Sequence, residues 1–194
     1  MELIFATNNP NKVAEIQNIL PPSFHAISLK EGGILIDIPE PHDTLEGNAT
    51  EKSTTIHRLT GKDCFSEDTG LEVAVLNGEP GVRSARYAGE PSDPKANINR
   101  LLQEMKGKSD RKARFRTVIS LILAGQEHIF EGICEGTITE APRGNGGFGY
   151  DPVFQPDGAL ETFGEMTMEG KKAFSHRRKA TDQLVAFLFQ QIGK

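Results

Sequence analysis

Leu3-Ile4-Phe5-Ala6 is a short unbroken apolar run, and the polar stretch Thr7 to Lys12 follows it directly. Val13, Ile16, Ile19 and Leu20 then recur at helical spacing until Pro21-Pro22. The chain thus opens with a predicted strand, a polar loop and a helix. His25 to Leu29 predicts a second strand, and Gly32 to Pro41 is irregular, with Ile34, Ile36 and Ile38 alternating. After His42-Asp43-Thr44 a second helical stripe runs through Leu45, Ala49, Ile56 and Leu59 up to Gly61. Two strand-like runs follow, one ending at Phe65 and one carrying Leu71, Val73 and Val75, and they are expected to meet at the polar corner Glu67-Asp68-Thr69-Gly70. Ser92-Asp93-Pro94 starts a helix with Ile98, Leu101, Leu102 and Met105 inside, closed by Gly107. Arg114 to Ala124 and Glu127 to Thr139 predict a hairpin turning at Gly125-Gln126. A glycine-rich loop from Pro142 to Pro152 precedes a last helix from about Ser175, with Ala180, Leu184, Phe187, Leu188 and Ile192 inside.

Composition narrows the class. At 194 residues and 37% hydrophobic content, the chain can build one domain, or two lobes sharing a sheet. A net charge of −5 speaks against a broad basic face for polymeric nucleic acid, while a local basic pocket for a small anion stays open. Cys64 and Cys134 lie far apart and outside any CxxC pair, as in a reduced, cytoplasmic protein without a zinc site. No signal peptide, membrane span, repeat or low-complexity linker is expected.

Five stretches carry candidate chemistry. Thr7 to Lys12 offers hydroxyl, amide and ammonium groups at a helix N-terminus, which suits a phosphate and equally suits an Asn-capped helix with a solvated lysine. Lys52 shares the apolar stripe with Asn48, so it either snorkels along the core edge or meets a buried anion. Glu67 and Asp68 either hold a hard cation and activate water, or form an ordinary polar turn. The glycines around Phe148 and Tyr150 either admit a flat ligand or turn a corner. His176 should point inward from the first turn of the last helix, as a core residue or a catalyst, amid Lys171, Lys172, Arg177 and Arg178.

Taken together, these stretches resemble the inosine triphosphate pyrophosphatase family. The resemblance rests on Thr7-Asn8-Asn9-Pro10-Asn11-Lys12, Asn48-Ala49 with Lys52, Glu67-Asp68-Thr69-Gly70-Leu71, Pro80-Gly81 with Ser84-Ala85-Arg86-Tyr87, Gly146 to Pro152, and Ser175-His176-Arg177. It implies a single α/β nucleoside triphosphate pyrophosphatase domain over residues 1–194, with a long mixed central sheet, flanking helices and two lobes around an active-site cleft. It also implies a homodimer and Mg²⁺ dependence.

The implied reaction hydrolyses dITP, ITP and XTP to the nucleoside monophosphate and pyrophosphate, removing them from the nucleotide pool. The alternatives are a pyrophosphatase without 6-oxo selectivity and a nucleotide sensor without turnover. By resemblance, Thr7, Asn8, Asn9, Pro10, Asn11, Lys12 and Lys52 hold the triphosphate. Asp68 is catalytic base and metal ligand, with Glu67 beside it. Thr69 contacts substrate, and Phe148, Gly149, Tyr150, Asp151, Lys171, His176 and Arg177 hold the base and sugar. His176 and Arg177 are donors suited to a 6-oxo group. Many family members carry a metal-binding glutamate directly before the asparagine matched by Asn48. Here Gly47 stands in that place, so either Glu46, one residue earlier, takes the metal role through a shifted helix start, or Glu67 and Asp68 hold the metal with waters; the metal ligands expected are Asp68, Glu46 and Glu67.

Overall fold

Helices α1 (Pro10–Gln17), α2 (Leu45–Thr60), α3 (Pro94–Glu104), α4 (Met168–Lys172) and α5 (His176–Ile192) flank strands β1 (Glu2–Phe5), β2 (His25–Ser28), β3 (Cys64–Val73), β4 (Pro80–Gly81), β5 (Lys112–Leu123), β6 (Gln126–Ile138) and β7 (Phe154–Pro156) in a computed structural model that describes residues 1–192. The strands form one mixed sheet in the order β2-β1-β3-β5-β6-β7, with β4 on β3. β1 pairs parallel with β2 and β3, whereas β3–β4 and β6–β7 are antiparallel. The expected α/β architecture with a mixed sheet and flanking helices is therefore present. Contacts divide the chain into two compact units. The first holds Met1–Asp68, Thr117–Gly132 and the segment from Arg177 onward, and the second holds Thr69–Arg116 and Ile133–His176.

In the first unit both sheet faces are covered. Leu3, Phe5 and Phe65 pack with Ile16 of α1 and with Ala180, Leu184 and Leu188 of α5. Ile4, Ala6 and Cys64 pack with Ile56 of α2. This division follows from the pleat, because successive strand residues point to opposite faces. The second unit has its own core, in which Leu71 and Val73 of β3 join Leu101 and Met105 of α3 and the rings of Phe115, Phe154 and Phe163.

Several expectations shift. The polar corner does not exist. Cys64–Val73 is one continuous strand, and Val75 falls in a short 3-10 turn after it. Burial explains why polar residues do not break the strand: Ser66, Glu67 and Asp68 are all buried and partnered inside the fold. Leu59 leaves the inner stripe of α2 and is 57% exposed. The hairpin turns one residue earlier than expected, at Ala124-Gly125, both with positive φ. The N–H of Ala124 donates to Asp63 Oδ1 at 2.8 Å. The side chain of Ile192 lies outside the described residues. Among the described residues, no helix is long and apolar enough to cross a membrane.

Candidate active site

The loop between β1 and α1 is shaped by its own side chains. Asn9 caps α1, with Oδ1 accepting from the N–H groups of Asn11 (3.0 Å) and Lys12 (3.4 Å), and Pro10 opens the helix. Thr7 Oγ1 accepts from Asn9 N–H, and Asn8 Oδ1 accepts from Lys30 N–H. Asn8, Asn9, Pro10 and Asn11 are exposed, so a ligand can reach the positive end of the helix.

Strand β3 sends alternate residues to α2. Cys64 Sγ donates to Ser53 O, Ser66 Oγ donates to Ala49 O, and Asp68 Oδ1 accepts from Lys52 Nζ at 3.1 Å. The stripe of α2 that carries Ala49, Lys52 and Ser53 thus matches the pleat of β3. Lys52 meets a buried anion and does not merely snorkel. Its Nζ also donates to Glu40 Oε1 (2.6 Å) and to the Glu67 carbonyl (3.0 Å). Lys12 Nζ reaches that same carbonyl at 3.4 Å. Two ammonium groups thus converge on one backbone oxygen beside Asp68.

One ammonium cannot neutralise two carboxylates, and Lys52 lies nearer Glu40 than Asp68. Burial therefore raises the pKa of Asp68, against the pull of Lys52 and Lys12 and with a further push from Glu40. Burial opposes the charge of Lys52, but Asp68 and Glu40 overcome it and raise its pKa. Asp68 Oδ2 is buried and has no hydrogen-bond partner among the described residues. An orphaned carboxylate oxygen of this kind suits a hard cation or a water proton. Mg²⁺ characteristically takes one or two carboxylates and completes its shell with waters and phosphate oxygens. Asp68 fits that pattern, and no group of three or more His, Cys, Asp or Glu gathers among the described residues.

Glu67 stands differently from the expected paired role. As the next residue along a strand it points to the face opposite Asp68. There its carboxylate accepts from Arg177 Nε (2.5 Å) and Nη2 (3.0 Å) and from Lys12 (3.2 Å). Its carboxylate thus faces cations of the protein, on the side of the strand away from Asp68. Arg177 is buried as well: its guanidinium is 1% exposed and donates to Glu67 and Glu15. Glu46 lies half-buried in the first turn of α2, an acidic position that complements the helix dipole. The carboxylate that shares Lys52 with Asp68 is Glu40, in the irregular segment before α2, where no periodicity marked it.

The structure also explains Gly47. A Cβ placed there would lie 2.7 Å from His42 Cβ, and Asn48 fixes His42 by exchanging hydrogen bonds with its backbone N–H and C=O. His42 therefore fills the space a glutamate stem would need. We expect Gly47→Glu alone to destabilise by about 1–3 kcal/mol through overpacking. His42→Gly combined with Gly47→Glu, which removes the Cβ that the new stem would meet, should recover most of that loss in a urea titration. A fully stable Gly47→Glu single variant would refute this explanation.

In the second unit, Thr69 follows Asp68 along β3. Asp151 Oδ2 accepts from Phe148 N–H (2.9 Å) and Lys171 Nζ (2.8 Å). Lys171 Nζ lies 5.3 Å from the Phe148 ring and 5.1 Å from the Phe163 ring. Gly147 has φ +70, and a Cβ there would meet Asp151 Oδ2 at 1.9 Å. This position therefore requires glycine for both backbone and space. Tyr150 is buried and donates to the Ser84 carbonyl, while Gly149 turns the backbone between Tyr150 and Phe148. His176 is buried and stacks on Phe115 with centroids 4.8 Å apart. Ser84 was visible only as part of a motif. Its hydroxyl accepts from Leu71 N–H and donates to Gly81 O, tying β3 to the following loop.

Residues 3–187 match the Ham1 family. The chain belongs to the Ham1 family. It is 50% identical to the dITP/XTP pyrophosphatase of Flavobacterium johnsoniae, over 97% of this chain and 98% of that protein. The corresponding Porphyromonas gingivalis protein, also named dITP/XTP pyrophosphatase, is 52% identical over 96% and 97%. The structure of the Staphylococcus aureus Ham1 protein superposes with a TM-score of 0.90 at 38% identity, covering 98% of this chain and all (100%) of that one. These relatives bear out the resemblance found in the sequence and the α/β fold it implied.

Proposed function

We propose that this Ham1-family protein hydrolyses dITP, ITP and XTP to the nucleoside monophosphate and pyrophosphate, acting as a nucleoside triphosphate pyrophosphatase. The observation that carries the reading is Asp68. One of its oxygens is held by Lys52 and the other is buried without a hydrogen-bond partner among the described residues, beside two converging ammonium groups. Homology to proteins named dITP/XTP pyrophosphatase supports the substrate class.

The chain's own residues divide the work. Asp68 Oδ2 accepts a proton from the water that attacks the α-phosphorus in line. Lys12, Lys52 and the N-terminus of α1 hold the triphosphate and meet the charge that grows on its oxygens. Lys52 also orients Asp68 through Oδ1. Asp68, with Glu40 across Lys52, would hold Mg²⁺, and the ion would supply further neutralisation of the phosphates.

Phe148 offers its ring for stacking, worth about 1–3 kcal/mol for any base. Hydrogen bonding must then choose the base. A 6-oxo purine presents an acceptor at C6 and a donor at N1, the reverse of adenine, and His176 and Lys171 are the donors we assign to it. Thr69 and the loop from Phe148 to Asp151 hold the sugar and base end. The reading includes a homodimer in the cytoplasm, where nucleotide pools turn over.

The test is pyrophosphate release from ITP, dITP, XTP, ATP and GTP, each with Mg²⁺ and with EDTA. ITP, dITP and XTP should be hydrolysed at least about tenfold faster than ATP, and EDTA should abolish turnover. Equal rates on all five nucleotides would leave a general pyrophosphatase. No release from any would refute the reading.

A further inference from the structure

We propose that Glu15 is a positioning residue of the phosphate-binding helix, acting through Arg177 and Glu67 on Lys12. The proposal rests on the reaction just described. Arg177 is among the largest fully buried side chains of the protein, and a buried guanidinium requires anionic partners. It grips Glu67 in a two-point fork through Nε and Nη2, and its Nη1 donates to Glu15 Oε2. Glu67 Oε1 also pairs with Lys12 Nζ at 3.2 Å.

The four residues close a ring. It runs from Glu15 on α1 to Arg177 on α5, to Glu67 on β3, and back to Lys12 on α1. Lys12 and Glu15 are three residues apart and share a helix face. Helix α1 is therefore fastened at two points one turn apart, which sets both its rotation and its advance along its axis. Its N-terminus carries the Asn9-capped loop, and Lys12 reaches the Glu67 carbonyl next to Asp68. The ring holds two acids and two bases, so it is neutral as it stands. Loss of Glu15 removes one of the two carboxylates that hold the guanidinium, and with it one of the two fastenings of α1. Buried ion pairs are weak sources of net stability, so geometry is the better account of this one.

The experiment compares wild type with Glu15→Gln, Glu15→Asp and Arg177→Lys, each checked for a folded thermal transition above the assay temperature. Steady-state kinetics on ITP and ATP should show KM raised about tenfold for both nucleotides in Glu15→Gln, with kcat changed less than about threefold. Inhibition by inorganic pyrophosphate should weaken in parallel, while inhibition by IMP stays as in wild type. Glu15→Asp keeps the charge and should lie between wild type and Glu15→Gln. Arg177→Lys keeps a charge but loses the fork and should follow Glu15→Gln. A merely structural role would lower kcat with the folded fraction and leave KM and pyrophosphate inhibition unchanged, which would overturn the proposal. An ITP-selective loss in Arg177→Lys would overturn it as well, since it would return Arg177 to base recognition. Calorimetric titration with inorganic pyrophosphate separates the two readings. A wild type that turns over no triphosphate refutes the proposed function, whereas equal pyrophosphate affinity in wild type and Glu15→Gln refutes the role of Glu15.

Discussion

Asp68→Asn should lower pyrophosphate release from ITP by about 10²–10⁴-fold, the usual loss when a general base is removed. The substitution keeps shape and can still accept from Lys52 at one oxygen. It replaces the unpartnered Oδ2 with an amide that takes no proton and suits no cation. Stability should not suffer. Burial raises the carboxyl's pKa above its ordinary 3.8, so in metal-free protein the folded state binds this proton more tightly than the unfolded chain does. The stability that this proton adds is fully present below the unfolded value and is lost as pH rises through the folded one. At neutral pH the charged form is therefore a burden, and the neutral amide lifts it. The metal-free variant should melt at or above the wild-type temperature in a calorimetric scan at pH 7. A folded Asp68→Asn protein with near-normal turnover would remove Asp68 from the mechanism.

Lys52→Met should lose both activity and stability. Packing of the stem alone would make the swap nearly neutral, because methionine fills much of the same volume. The structure reverses that expectation. Lys52 is the shared partner of Glu40 and Asp68, and its removal leaves two carboxylates facing each other without their ammonium. Breaking a buried pair costs about 3–5 kcal/mol. The lower end applies here, since the Glu40 side chain is 28% exposed and can relax into water. Urea titration should show the loss, and Glu40→Gln added to Lys52→Met should restore part of it. Activity should stay low in the double variant, because the triphosphate has still lost a cation and Asp68 its orienting donor. Unchanged kcat/KM for ITP in Lys52→Met would remove Lys52 from substrate binding, whatever the stability.

Local pattern determined a good deal about this protein. Apolar runs and the turn residues between them mark β1, β2, β5 and β6, and the helical repeats mark α1, α2, α3 and α5. The caps at Asn9 and Asp93 were legible because capping uses neighbours only a few residues away. Spacing on α2 put Lys52 in an apolar stripe, and that anomaly led to the buried acid it pairs with. The ordered motifs from Thr7 to Arg177 carried the family and its chemistry. What only the tertiary structure decided involves partners distant in sequence. Glu67 and Asp68 are adjacent in the chain and read as a pair, yet the pleat of β3 turns them to opposite faces, one to Arg177 and the other to Lys52. Glu40 lies in an irregular segment, and only the packing of that segment beside α2 brings it to Lys52. Arg177 looked like a donor for a ligand, but burial committed it to Glu15 and Glu67. At Gly47, nothing in the local sequence says that His42 occupies the room a side chain would need. The physical reason is the same in each case. Periodicity reports which way a residue faces on its own element, whereas the charge it meets there is set by strand pairing and helix packing across many residues of intervening chain.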